Sequence, residues 1–256
     1  MATPSTATST PLSPSQADTF ASSQGELNLT NFSERFSTIE KQNHADNTPI
    51  AKGGTVEGHN IHVLINVTDE PPSVSTSALS QVFGDSKDNS ATAKTQAIIV
   101  MNFDVAAGKV FSFEFSATLD IQTRIRELKV QNAHASGDIS FNLFDTSDVP
   151  KQNLKNFLFS LLSNDVNSSI KKSPLDFFTF AENLNSFGNN DSDSYQKSQN
   201  VTLFNGDKKF IVGGTQEFAK HSVKGFFKRS FAKTTNLTLI ATRRSEAKVT
   251  ASNQAK

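Results

Sequence analysis

Asn189, Asp191 and Asp193 occupy alternate positions in the run GNNDSDSYQ. Oxygen-rich loops that coordinate calcium begin this way, because that cation is satisfied by several carboxylate and carbonyl oxygens. The pattern then departs from an EF-hand loop. Ser194 stands where such a loop needs its turn glycine, and Asn200 stands where a bidentate Glu would close the site. These three residues are the candidate metal ligands and calcium is the candidate cofactor, set against the plainer reading of an ordinary polar loop.

Other candidates carry less. His59 and His62 are three apart in HNIH, and in a strand they would point to opposite faces, so they do not share an ion there. KGFFKRSF, Lys224 to Phe231, matches an RNA-recognition octapeptide at its ends but has Phe227, Lys228 and Arg229 at the centre. As a strand it would turn Phe227 and Phe231 inward and Phe226 outward among lysines. Glu114, Asp120, Asp138 and Asp176 lie on or beside expected strands, where paired carboxylates would suit glycoside hydrolysis. Glu114 and Asp120, however, fall on the phase that any half-buried strand keeps wet. The chain has no Cys, which removes disulfides, thiolate nucleophiles and cysteine-ligated metals. It has no Trp and one Tyr, Tyr195, so aromatic sugar platforms are scarce. No catalytic residue is assigned.

The elements that must position these residues follow from periodicity. In VFSFEFSATLDI, Val110 to Ile121, the residues Phe111, Phe113, Phe115, Ala117, Leu119 and Ile121 alternate with polar ones, the mark of a strand dry on one face and wet on the other. Ile61 to Val67 and Ile139 to Leu143 alternate in the same way. Ala97 to Val105 and Val110 to Ile121, joined at Ala107-Gly108, read as a hairpin. The stretch from Ser73 to Lys94 reads as polar loop; over Leu175 to Leu184, Phe177, Phe180, Ala181 and Leu184 would suit a helix and Leu175, Phe177 and Thr179 a strand, and the Phe and Thr content favours the strand. Between Leu154 and Leu162 the apolar spacing changes to three and four, which predicts one helix. With 22 Phe supplying the core, the expected fold class is all-β: a two-layer antiparallel β-sandwich, jelly-roll-like, with one decorating α-helix. A parallel sheet covered on both faces would read as continuously apolar.

Residues 1–24 are rich in Ser, Thr and Pro and predict a disordered tail; 25–249 form a single sandwich domain and 250–256 a second tail. The opening residues have no basic start and no apolar run, so no signal peptide is read. No run of about 18 apolar residues predicts a transmembrane helix. Charge is uneven: Asp207 to Lys256 holds 11 Lys/Arg against 3 Asp/Glu, and the preceding residues hold 14 against 22, so the two parts carry +8 and −8. That predicts either differently charged faces of one fold, or a surface for an anionic polymer or for head-to-tail association.

FDVAAGKVFSFEFSATLDI, with ASGDISFNLFD and NLTLIATRRSEAKV further on, resembles a set of uncharacterised cyanobacterial all-β proteins. More loosely it resembles bacterial extracytoplasmic jelly-roll modules, over most of residues 22 to 249. The resemblance implies a fold and no activity. The expected function is a non-catalytic binding or assembly module of a bacterial surface or matrix, in an extracytoplasmic place, with a glycan or a second copy as partner and nucleic acid disfavoured. A calcium-dependent lectin-like or glycan-active sandwich and a jelly-roll particle subunit are the alternatives.

Overall fold

The dry and wet phases of each strand decide which way it faces. The computed structural model describes residues 17–51, 56–69, 72–85, 88–127, 129–150, 153, 172–186 and 190–252. These form β1 (Thr19–Thr30), β2 (Thr38–Ala51), β3 (Val56–Asp69), β4 (Pro72–Gly84), β5 (Asn89–Val105) and β6 (Val110–Arg124). They continue with β7 (Gln131–Asp145), β8 (Asp176–Asn185), β9 (Ser192–Lys197), β10 (Val201–Ile211), β11 (Gln216–Ser230) and β12 (Thr235–Ala251). All pairings are antiparallel, in two six-stranded sheets ordered β10-β11-β6-β1-β4-β3 and β2-β5-β12-β7-β8-β9. The inner faces of the two sheets share one interior, so the fold is all-β with a sandwich build.

At one end that interior is phenylalanine. Phe111, Phe113 and Phe115 of β6 are buried as their alternation predicts, and so is Phe227 of β11. Phe113 stacks on Phe227 at 5.2 Å and meets Phe141 of the opposite sheet edge-on at 5.2 Å; Phe115 meets Phe178 at 4.9 Å. Each such ring buries on the order of 2–3 kcal/mol of apolar surface and gains about 0.5–1.5 kcal/mol more from ring geometry. At the other end the inward positions are small: Ala21, Ala91, Ala93, Ala133, Ala135 and Ala247, with Val82, Val249 and Ile121.

Several elements differ from the sequence reading. Gly108 does turn the chain, at φ 78°, but β5 and β6 are not a hairpin. β5 pairs with β2 and β12 while β6 pairs with β1 and β11, so the turn carries the chain from one sheet to the other. Phe103 and Phe111 then meet across the interior with centroids 4.6 Å apart; a flat hairpin would hold them side by side. β1 begins at Thr19, ahead of the boundary expected at residue 24, because Phe20 and Ala21 are already buried and Phe20 stacks on Phe83. β12 runs on through Ala251. The helix expected at Leu154 to Leu162 lies outside the described residues, and no α-helix occurs among the described ones. The stretch read as loop after Ser73 contains β4, whose inward phase mixes Val74, Ala78 and Val82 with Thr76 and Ser80. β8 is a strand as expected, but its inward phase is Asp176, Phe178, Phe180, Glu182 and Leu184.

Between the Phe and Ala ends lies a polar waist. Arg243, on the inward phase of β12, is 0% exposed. Its Nη2 donates to the Ala78 carbonyl and to Ser245 Oγ, while Nε and Nη1 have no partner among the described residues. Gly25 is what admits it: a Cβ there would lie 2.8 Å from Arg243 Nε and 2.8 Å from Leu119 Cδ2. Burial pushes the guanidinium pKa down to about 9, opposed by the Asp138 carboxylate. A dry charge with incomplete hydrogen bonding costs more than an apolar side chain of similar length. Arg243→Met is therefore expected to raise the unfolding free energy by about 1 kcal/mol or more. Arg243→Ala, which leaves a cavity, is expected to lower it by about 2–5 kcal/mol. Urea titration followed by circular dichroism reads both.

Candidate functional site

Inward polar residues gather where the edges β9 and β10 face each other across the open side of the sandwich. Glu182 on β8 and Asp193 on β9 are direct cross-strand neighbours in one sheet; His221 on β11 and Lys208 on β10 are direct neighbours in the other. Like charges placed opposite one another in a ladder repel. Here each is matched across the gap instead. His221 Nδ1 lies 3.0 Å from Glu182 Oε1, and Lys208 Nζ donates to Asp193 Oδ2 at 2.7 Å. The Phe180 ring packs edge-on to His221 at 4.7 Å and holds the imidazole in place.

The two carboxylates sit in different surroundings. Glu182 is 3% exposed and its Oε2 has no partner among the described residues. Burial raises its pKa, with the hydrogen bond and charge of His221 opposing and Asp193 adding to the rise. Asp193 is half exposed, and its hydrogen bond from Lys208 lowers its pKa. One carboxylate atom each from Glu182 and Asp193 and a ring nitrogen of His221 all lie within 4.8 Å of one another. This group is the set of described residues able to hold a metal ion.

A trough of about 450 Å³ lies on the outer face of the second sheet, on the opposite side of β8 and β9 from this cluster. Its floor is two rows of outward side chains crossing the strands in register. One row is His44, Gln96, Arg244, Asp138, Ala181 and Ser194. The next is Lys94, Glu246, Ser136, Asn183 and Ser192. Lys94 pairs with Glu246 at 3.2 Å and Arg244 with Asp138 at 3.9 Å, so the charges alternate in sign. Asn183 Nδ2 donates to the Asn190 carbonyl, and its Oδ1 is buried without a partner among the described residues. The same face continues into a second depression of about 330 Å³ around His134, Asn185 and Lys248. Burial lowers the His134 pKa; Glu246 opposes this, and Lys248 and Lys94 add to it. In the other direction Ile98, Val100, Phe144 and Ile240 form an apolar cluster on the same sheet.

The residues singled out in the sequence are scattered over this frame. Asn189 lies outside the described residues. Asp191 Oδ1 accepts the backbone N–H of Asn185 and shapes the β8–β9 turn, while Asp193 belongs to the cluster above. His59 and His62 lie on β3. Glu114 accepts from Asn31 and Asp120 pairs with Lys220, both on the outer face of the first sheet; Asp138 is in the trough. Asp176 is buried and takes a 2.7 Å ion pair from Arg229 and a hydrogen bond from Asn200. These four carboxylates therefore do not converge. The pair that does, Glu182 with Asp193, had a signal available: a carboxylate on the dry phase of β8, in step with Phe178 and Phe180. Part of the basic C-terminal charge is neutralised within the fold. Lys208, Lys220, Arg229 and Arg244 each pair with an acid from an earlier strand. Comparisons with protein-family models, curated proteins and solved structures return no match.

Glu217, two inward positions from His221, is the second dry carboxylate of this side of the sandwich. It accepts from Thr123 Oγ1 at 3.0 Å and from the Gly213 N–H at 3.1 Å. Burial raises its pKa above 4.5; the Thr123 and Gly213 bonds oppose and the Asp191 charge adds. The native state then binds the proton more tightly than the unfolded chain. Its contribution is fully present below pH 4.5 and is lost as pH rises through the folded value. Glu217→Gln keeps the Gly213 bond at its oxygen, reverses the Thr123 bond so that the amide donates to Oγ1, and removes the titration. The difference in Tm, variant minus wild type, should be near zero at pH 4 and grow positive by pH 7 in scanning calorimetry; a difference independent of pH contradicts the assignment.

Proposed function

We propose that this protein is a non-catalytic binding module of a bacterial surface or matrix, jelly-roll-like in build, which holds an extended polyhydroxylated chain such as a glycan in the trough. The observation that carries this reading is the pair of polar rows crossing the whole second sheet. Six strands at about 4.8 Å spacing give a track of roughly 24 Å, long enough for several sugar rings. Donors and acceptors alternate along it, and the ion pairs Lys94–Glu246 and Arg244–Asp138 leave no net field. That suits neutral hydroxyls, each able to donate and accept, and does not suit a phosphate backbone, which needs a basic surface. Asn183 in the same floor carries a second amide hydrogen beside the one it gives to the Asn190 carbonyl. Because Tyr195 is the chain's sole Tyr and Trp is absent, hydrogen bonds rather than ring stacking would provide the contact.

Affinity electrophoresis against a panel of neutral soluble polysaccharides tests the reading. At least one should retard the wild type, and Arg244→Ala and Asn183→Ala should each weaken that retardation about tenfold. Equal retardation of the variants, or none by any polysaccharide, rejects it. Repeating the gel with a chelator separates a calcium-dependent lectin-like form from a cation-independent one.

A second reading, assembly with another copy of the chain, is favoured by the edge strand β10. Phe204, Phe210 and Ile211 are exposed along it, Val212 just beyond it and Tyr195 on the neighbouring edge β9. An exposed apolar edge is a template for strand pairing, as an oligomer or a particle subunit would use. Light scattering should then show mass rising with concentration, and Ile211→Lys should hold the chain monomeric; a monomer at all concentrations eliminates this reading.

A further inference from the structure

We propose that Glu182, Asp193 and His221 form a site for a divalent transition-metal ion, zinc in the first instance, at the mouth between the two sheets. The three side chains come from β8, β9 and β11, so the site exists only when both sheets are assembled. Their ligand atoms lie within 4.8 Å of one another, with His221 Nδ1 and Glu182 Oε1 at 3.0 Å. Zinc bonds of about 2.0–2.2 Å to nitrogen and oxygen place neighbouring ligand atoms roughly 3.3 Å apart, so small rotations of the side chains suffice. One imidazole and two carboxylates form a mixed nitrogen and oxygen set. That set suits zinc or a similar ion, whereas calcium takes six to eight oxygens.

A second observation points to a ligand. Glu182 is 3% exposed, yet its Oε2 is buried with no partner among the described residues. A dry carboxylate oxygen without a donor is costly, and a cation beside it would remove that cost. Asp193 is half exposed and His221 partly so. An ion held there would keep a coordination position open to water at the mouth between the two sheets. Lys208 already supplies a cation to Asp193 Oδ2. It acts as a built-in competitor, displaced when metal binds and restored when metal leaves. The set differs from Asn189, Asp191 and Asp193: it shares only Asp193 and takes its other ligands from the sandwich interior.

The test uses the purified full chain, stripped of metal by chelator and titrated with zinc, manganese and calcium chlorides by isothermal calorimetry. Zinc should bind one to one and more tightly than calcium. Glu182→Gln and His221→Gln should each weaken zinc at least tenfold. Lys208→Met keeps all three ligands and removes the competitor, so it should tighten zinc about tenfold even if the other variants fold poorly. In wild-type protein loaded with cobalt, visible ligand-field bands should appear and should be lost in His221→Gln. Zinc affinity unchanged in Lys208→Met, cobalt bands that survive His221→Gln, or no zinc binding by the wild type would each overturn the proposal. Binding carried by His44, His59, His62 or His134 would show as zinc affinity indifferent to every one of these variants. The outcome is independent of whether any glycan occupies the trough.

Discussion

Packing of phenylalanine rings between two sheets is the interaction on which the rest of the molecule depends. Phe113 touches Phe32, Phe141 and Phe227, and through them joins the segment after β1 to both sheets. Rings of this size set the separation of the sheets at that end, and they fix the register of every strand that contributes one. A shift by a single residue would turn a strand's whole dry phase outward. The inward phase is thus specified along its full length by the few positions where it is aromatic, and residues further along the same strands are carried inward whether or not they are apolar.

That carriage explains the polar interior. β12 enters the core as Leu237, Leu239 and Ala241, and the same phase then brings Arg243 and Ser245 inside. β8 enters as Phe178 and Phe180 and brings in Glu182; β11 has Phe227 and Val223 on the phase that holds His221 and Glu217. The cluster at the open side is therefore built by strands whose register is secured elsewhere. A polar group so placed pays its desolvation cost out of ring packing, and such groups are more often found where a protein does something than where it is merely stable. The part of the outer face of the second sheet that forms the trough is the counterpart: away from the buried cluster of Ile98, Val100, Phe144 and Ile240, its rows are free to be polar.

How much of this could be read from the sequence follows from the same logic. β6 was legible because its dry phase is aromatic or aliphatic from Phe111 to Ile121, and in the second half of β11 the inward Phe227 and the outward Phe226 fell where alternation put them; Glu217 and His221 hid the first half. β4 was not, because Thr76 and Ser80 interrupt its dry phase with residues that alternation counts as wet. β2 has almost no dry phase: as an edge strand exposed on both faces it offers no period to detect. The turn at Gly108 was visible, but a tight turn fixes only a change of direction and says nothing of which sheet the next strand joins. The metal-ligand pattern in GNNDSDSYQ drew attention to Asp193 and missed its neighbours in space, since Glu182 and His221 are supplied by strands separated in sequence and brought together only by the closing of the sandwich.

The position of β12 has a consequence for how the chain reaches this state. It is the last strand in order yet lies between β5 and β7, near the middle of its sheet. Until it has emerged from the ribosome, β5 and β7 each lack a neighbour and present bare backbone beside exposed rings. Folding must then wait for synthesis of nearly all the described chain, and it proceeds through contacts between distant segments, which are slow to form. A nascent or truncated chain lacking β12 would therefore expose unpaired strands and be sticky until that strand is in place.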